Sequence, residues 1–138
     1  MMVASITDTV TIAALNSPAN TVFAGAKESI AQIRTQAKAR GLLATQIQDE
    51  YAFHSYQMDP LREQLISEIS GITATAPRIA YYSTVTGQRA TSGVALGAQY
   101  WADNLASPVL FHEALVAACD TATSVTVVEV GPHAVLRS

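Results

Sequence analysis

The chain changes its hydrophobic period several times. Residues 10–15 are apolar with one polar interruption and are followed by the turn formers Asn16, Ser17, Pro18, Ala19 and Asn20. They predict a short strand and a loop, and residues 21–24, closed by Gly25, predict a second strand paired with the first. Over residues 26–40, Ala26, Ile30, Ile33 and Ala37 recur at helical spacing opposite Lys27, Glu28, Arg34 and Lys38, with Gly41 at the position of a C′ glycine. That pattern predicts an amphipathic helix. Leu43, Thr45 and Ile47 alternate at period two, so residues 42–47 predict a third strand. Strand, strand, helix, strand suits a small α+β layer.

Beyond a loop at residues 51–56, Asp59-Pro60 supplies an N-cap and a first-turn proline. Met58, Leu61, Leu65 and Ile69 then line one face of a helix ending near Gly71. Residues 79–84 predict a strand, and Val85-Thr86-Gly87 a turn leading to a mostly loop stretch. A short helix is expected over residues 99–105. Ser107-Pro108 repeats the cap-and-proline pattern ahead of a helix burying Leu110, Phe111, Ala114, Leu115 and Ala118. The valine-rich residues 124–130, stopped by Gly131-Pro132, read as a central parallel strand buried on both faces.

Composition narrows the function classes. A chain of 138 residues, 49% apolar and 14% charged, has the core-forming capacity of one ordinary domain and is not intrinsically disordered. Its net charge of −3 carries no basic stripe, so nucleic acid is not an expected partner. The N-terminus lacks signal-peptide character, and no apolar run approaches the ~18 residues of a spanning helix. The expectation is a soluble, cytoplasmic chain that engages no membrane. The one cysteine, Cys119, excludes an intramolecular disulfide framework and reads as a small core residue.

Candidate chemistry centres on three histidines. Their spacing offers no zinc motif, so no metal site is expected. His112, on a predicted helix beside Glu113, reads as a surface residue. His133, after Gly131-Pro132, reads as a turn residue in preference to a pocket-lining one. His54 differs, standing in a loop between predicted elements and flanked by Tyr51, Phe53 and Tyr56, where catalytic groups concentrate. Spacing alone leaves a catalytic and a packed, partly buried histidine equally open. No Gly-x-Ser-x-Gly elbow, phosphate cradle or convincing carboxylate pair accompanies it.

Several motifs in succession carry a resemblance. They are Ala13-Ala14-x-Asn16-x-Pro18, Tyr51-Ala52-Phe53-His54-Ser55 with Met58-Asp59-Pro60-Leu61, and Tyr82-Ser83-Thr84-Val85-Thr86-Gly87. Tyr100-Trp101 with Asn104-Leu105, Pro108-Val109-x-Phe111, and Val128-Glu129-Val130-Gly131-Pro132-His133-x-Val135-Leu136 follow. Their order and spacing resemble the C-terminal part of the acyltransferase domain of modular polyketide synthases, relatives of malonyl-CoA:acyl-carrier-protein transacylases. The resemblance implies an α/β fold: a ferredoxin-like β-β-α-β subdomain over residues 1–50, then residues 51–138 as the C-terminal portion of an α/β-hydrolase-like core.

The resemblance also implies a ping-pong transfer from acyl-CoA, through an acyl-serine, to the phosphopantetheine thiol of an acyl carrier protein. His54 would be the general base, with the backbone carbonyl of Asn104 orienting its ring. Tyr51, Phe53 and Asn16 would meet the substrate. No cofactor is expected on the chain itself, and the implied partners are acyl-CoA, the carrier protein and the remainder of a multidomain synthase. The family's elbow serine, oxyanion donors and carboxylate-binding arginine have no counterpart here, so the isolated chain is expected to be inactive, a part of a larger catalytic unit. A non-catalytic, truncated α/β module binding a partner or carrier protein is the alternative. Family members reading His-Ala-Phe-His at positions 51–54 tend to take malonyl units, and those reading Tyr-Ala-Ser-His tend to take methylmalonyl. Tyr-Ala-Phe-His is a hybrid in which bulky Phe53 leans towards malonyl. The low charge is expected to leave an apolar face exposed.

Overall fold

The computed structural model describes residues 9–47, 51–92, 96–120, 122–132 and 136. Its first unit is an antiparallel hairpin, β1 (Val10–Ser17) and β2 (Asn20–Gly25), paired from Val10 opposite Gly25 to Ser17 opposite Asn20, with the register shifting between Ile12 and Ala14 and between Leu15 and Ser17. The predicted pairing forms, and both strands run further into the turn than the apolar pattern suggested. Helix α1 (Lys27–Ala39) follows with Ile30, Ile33 and Ala37 half-buried. It ends as a Schellman motif: Gly41 at φ 73° donates its N–H to the Lys38 carbonyl, and Leu42 donates to that of Ala37, both at 3.0 Å.

Residues 42–47 are not the expected third strand. They lie unpaired, with Leu43 97% exposed, because period-two alternation expresses a liking for a sheet face without supplying a neighbouring strand. The ββα order is present, whereas among the described residues the fourth element of a ferredoxin-like layer is not formed.

A 3₁₀ turn (Tyr56–Met58) leads directly into α2 (Asp59–Glu68), with Pro60 in its first turn. Asp59 does not act as the cap. The capping side chain is Ser55, whose Oγ accepts the Gln57 N–H at 3.2 Å, one turn earlier than the sequence pattern placed it. A two-residue ribbon, β3 (Tyr82–Ser83) and β4 (Gln88–Arg89), turns through Gly87 at φ 68°. A Cβ there would stand 3.0 Å from that of Glu113, so position 87 demands glycine for both handedness and room. The strand expected over residues 79–84 is thus confined to its end, and Ile79 is exposed.

Helices α3 (Ala98–Ala106) and α4 (Phe111–Cys119) complete the described elements. Helix α2 packs on α3, tied by a hydrogen-bonded ion pair between Arg62 and Asp103; Gln99 Nε2 also donates to Asp103 at 3.0 Å. Tyr100 is buried with its hydroxyl 2.8 Å from that of Tyr81 and 2.9 Å from Ser83 Oγ, joining α3 to the ribbon. Burial and the Tyr100 hydroxyl raise the Tyr81 pKa to about 12.

Ser107-Pro108 does not begin α4. Ser107 is the C-cap of α3, and Val109 forms a parallel bridge with Ala14 of β1, so helical geometry resumes only at Phe111. Ala114 is buried as expected, but Leu115 and Ala118 are exposed and Cys119 is half-buried. Residues 124–130 form no strand; Val127, Val128 and Val130 are exposed, the last at 95%. A central parallel strand needs ladders on both sides, and no described strand lies beside this run.

The buried apolar residues are mainly small: Ala13, Met58, Tyr100, Ala102, Ala106 and Ala114. The surface is correspondingly large. The chain exposes 10336 Å², against roughly 6,900 Å² for a compact monomer of this mass.

Candidate active site

His54 lies between Ala52 and the 3₁₀ turn, in a loop braced by its neighbour. Fully buried Ser55 donates its hydroxyl to the Ala52 carbonyl at 2.6 Å and caps the turn that follows. His54 itself adopts φ 59°, and it is the only described non-glycine residue with positive φ. Such a conformation costs about 1–3 kcal/mol and persists only where surrounding contacts impose it.

Those contacts come from the carbonyl end of α3. The His54 N–H donates to the Leu105 carbonyl at 3.0 Å, and the ring Nδ1 lies 3.1 Å from the Ser107 carbonyl. The last carbonyls of a helix have no intrahelical partner, so the end of α3 offers acceptors without further cost. A carbonyl can only accept; Nδ1 therefore carries the proton, leaving the Nε2 lone pair available as a base.

Asn104 is one turn back on α3. The carbonyl at the imidazole is that of Ser107 rather than Asn104, because pinning the His54 N–H on Leu105 carries the ring towards the C-cap. Asn104 instead lines a shallow cavity of about 390 Å³ with Leu65, Ile69, Ile72, Trp101 and Leu105. Tyr51 and Phe53 are exposed and meet each other, with ring centroids 5.8 Å apart at 44°. The structure thus groups Tyr51, Phe53 and His54 in one loop. Asn16 sits at the end of β1, where its amide donates to Asn20 at 3.4 Å across the hairpin turn.

Ser55, Leu105 and Ser107 escaped the sequence reading. The signal for Ser107 was present, since proline after a helix marks its stop as readily as the start of the next. Of the other histidines, His112 is half-buried in α4, and His133 falls outside the described residues. Among the described residues, no group of three or more His, Cys, Asp or Glu could hold a metal ion, and no helix is long and apolar enough to cross a membrane.

The described residues thus form a mixed α/β arrangement in which a loop histidine is anchored on carbonyls at the end of α3. The family model of the acyl transferase domain matches residues 1–138, and the chain belongs to that family. It is 36% identical over 137 residues to erythronolide synthase EryA3 of Saccharopolyspora erythraea, covering 99% of this chain and 4% of that protein. The acyltransferase domain from module 8 of the salinomycin polyketide synthase superposes with a TM-score of 0.81 at 30% identity, over 86% of this chain and 28% of that one. The acyltransferase domain of PpsC from Mycobacterium tuberculosis gives 0.77 at 31% identity, over 86% and 37%. The chain therefore spans less than half of the solved acyltransferase chains it matches.

Proposed function

We propose that this chain supplies the general-base portion of a polyketide-synthase acyltransferase, which moves an acyl unit from coenzyme A to the phosphopantetheine thiol of a carrier protein. The observation that carries the reading is the His54 imidazole fixed through Nδ1 on the Ser107 carbonyl. The sequence contains no Gly-x-Ser-x-Gly elbow, so the nucleophilic serine belongs to a portion outside these residues.

In the first half-reaction Nε2 takes the serine proton as the serine oxygen attacks the thioester carbonyl. When the C–S bond breaks, the imidazolium returns that proton to the coenzyme A sulfur. In the second half-reaction Nε2 takes the proton of the carrier thiol, whose sulfur attacks the acyl-serine, and returns it to the departing serine oxygen. The Nδ1 contact keeps the ring in the tautomer that both steps require. Residues 1–50 form the smaller part of the complete domain, with the β-β-α order described above, and residues 51–138 form part of its core.

The test is a chimera in which residues 1–138 replace the matching segment of a complete acyltransferase domain. With labelled malonyl-CoA, His54→Ala is expected to lower self-acylation at least ~100-fold. Near-wild-type labelling would overturn the assignment. Malonyl is the favoured unit because Phe53 crowds a methyl branch at the α-carbon. Phe53→Ser in the same chimera is expected to shift the malonyl-to-methylmalonyl ratio towards methylmalonyl by about 10–200-fold, a methyl's worth of discrimination. An unchanged ratio would remove Phe53 from the specificity wall.

The missing elbow favours one further reading, a non-catalytic module that binds a partner or carrier protein. Covalent label on the isolated chain would contradict both readings, since each denies it a nucleophile. Acylation of the chimera separates them.

A further inference from the structure

Residues 107–110 contact three separate parts of the molecule through backbone groups. The Ser107 carbonyl faces His54 Nδ1 at 3.1 Å. The Val109 N–H donates to the Ala13 carbonyl at 2.8 Å, and the Leu15 N–H donates to the Val109 carbonyl at 2.9 Å, closing the bridge to β1. The Leu110 N–H donates to the Thr84 carbonyl at 2.6 Å, beside the β3–β4 turn. A second link joins the histidine loop to the base of the hairpin, where the Tyr56 hydroxyl donates to the Thr9 carbonyl at 3.5 Å.

Pro108 is all that separates the carbonyl at the imidazole from the nitrogen anchored on β1. Its ring fixes φ, leaving little torsional slack between the two contacts. A shift of β1 along Val109 must therefore move the Ser107 carbonyl, whereas a loop with several free torsions would absorb it. Ala13, the acceptor on β1, is buried, so water does not readily replace the broken bond.

We propose that the β1–β2 hairpin is a positioning element for the His54 imidazole, acting through Val109 as the positioning residue. Through this strut, hairpin placement sets whether the ring stays in the Nδ1–H tautomer. The inference rests on His54 being the base, as proposed above, but its test does not need acyl transfer.

The experiment reads the His54 ring nitrogens of the full 138-residue chain by long-range ¹H–¹⁵N spectroscopy at a pH where the ring is neutral. The wild-type chain is expected to show the Nδ1–H form alone. Val109→Pro removes the N–H that binds Ala13 and is expected to lose that form, the ring shifting towards the Nε2–H tautomer that the free histidine side chain prefers. Val109→Ala keeps the N–H and should retain the wild-type signature. Unchanged ring shifts in a folded Val109→Pro chain would overturn the proposal. Should that variant not fold, native-state hydrogen exchange of the wild-type chain decides. The Val109, Leu15 and His54 amides are expected to open together with one denaturant dependence, and independent opening of His54 overturns the coupling. A chimera that fails to acylate while these signatures hold would sink the acyltransferase reading and leave the strut intact.

Discussion

Two similarly apolar stretches of this chain meet opposite fates. Residues 98–114 hold four of the buried apolar residues, the ion pair to α2, the tyrosine network and the carbonyls that fix His54. Residues 122–132, richer in β-branched side chains, are almost entirely exposed. A helix satisfies its own backbone and needs only one face covered, whereas an extended run needs another strand before its apolar residues can be buried. Apolar content therefore sets the capacity for burial, and local hydrogen bonding decides which segment uses it.

The contrast can be broken first in the ordered region. Ala102 is 0% exposed on α3, so Ala102→Leu is expected to overpack its site and destabilise by about 1–3 kcal/mol in urea unfolding. A change near zero would mean that α3 is as loosely held as the C-terminal run.

A smaller effect is expected from the tyrosine network, and it depends on pH. Burial, reinforced by Tyr100, lifts Tyr81 from 10.0 to about 12, so the folded state holds this proton more tightly than the unfolded chain. Its contribution is fully present below pH 10 and is lost as pH rises from 10.0 to about 12. Tyr81→Phe should abolish that part of the alkaline loss of stability, measured as urea midpoints across the interval. A slope identical to wild type would show that the hydroxyl does not link α3 to the ribbon.

The smallest effect is expected where nothing packs. Val128→Lys, at a side chain 77% exposed, should change stability by no more than about 0.5 kcal/mol while lowering binding of a hydrophobic dye. A large destabilisation would reveal a buried role that the structure does not show and would erase the distinction between the regions.

The same contrast marks what the sequence made legible. The hairpin, α1 with its terminal glycine, α3 and the loop position of His54 all follow from local patterns: turn formers, 3.6-residue periodicity and a C′ glycine. Residues 42–47, 79–81 and 124–130 carry strand patterns as clear as those of β1, but pairing is a property of two segments and periodicity reports on one. Ser107 was obscured differently. Serine before proline signals a start and a stop alike, and only the bridge from Val109 to Ala14 decides between them. The candidate histidine was therefore visible, while the carbonyl at its Nδ1 lay in a motif open to two local meanings.

Gly41 supports a last deduction. A Cβ built there meets nothing within 4 Å, although φ is 73°. Room is thus available, and what excludes an ordinary side chain is the mirror sense of the backbone. D-alanine, whose favoured torsions are the inverse of those of L-alanine, matches this backbone sense and restricts the unfolded chain more than glycine does. The end of α1 is therefore a place where stereochemistry, and not volume, writes the specification.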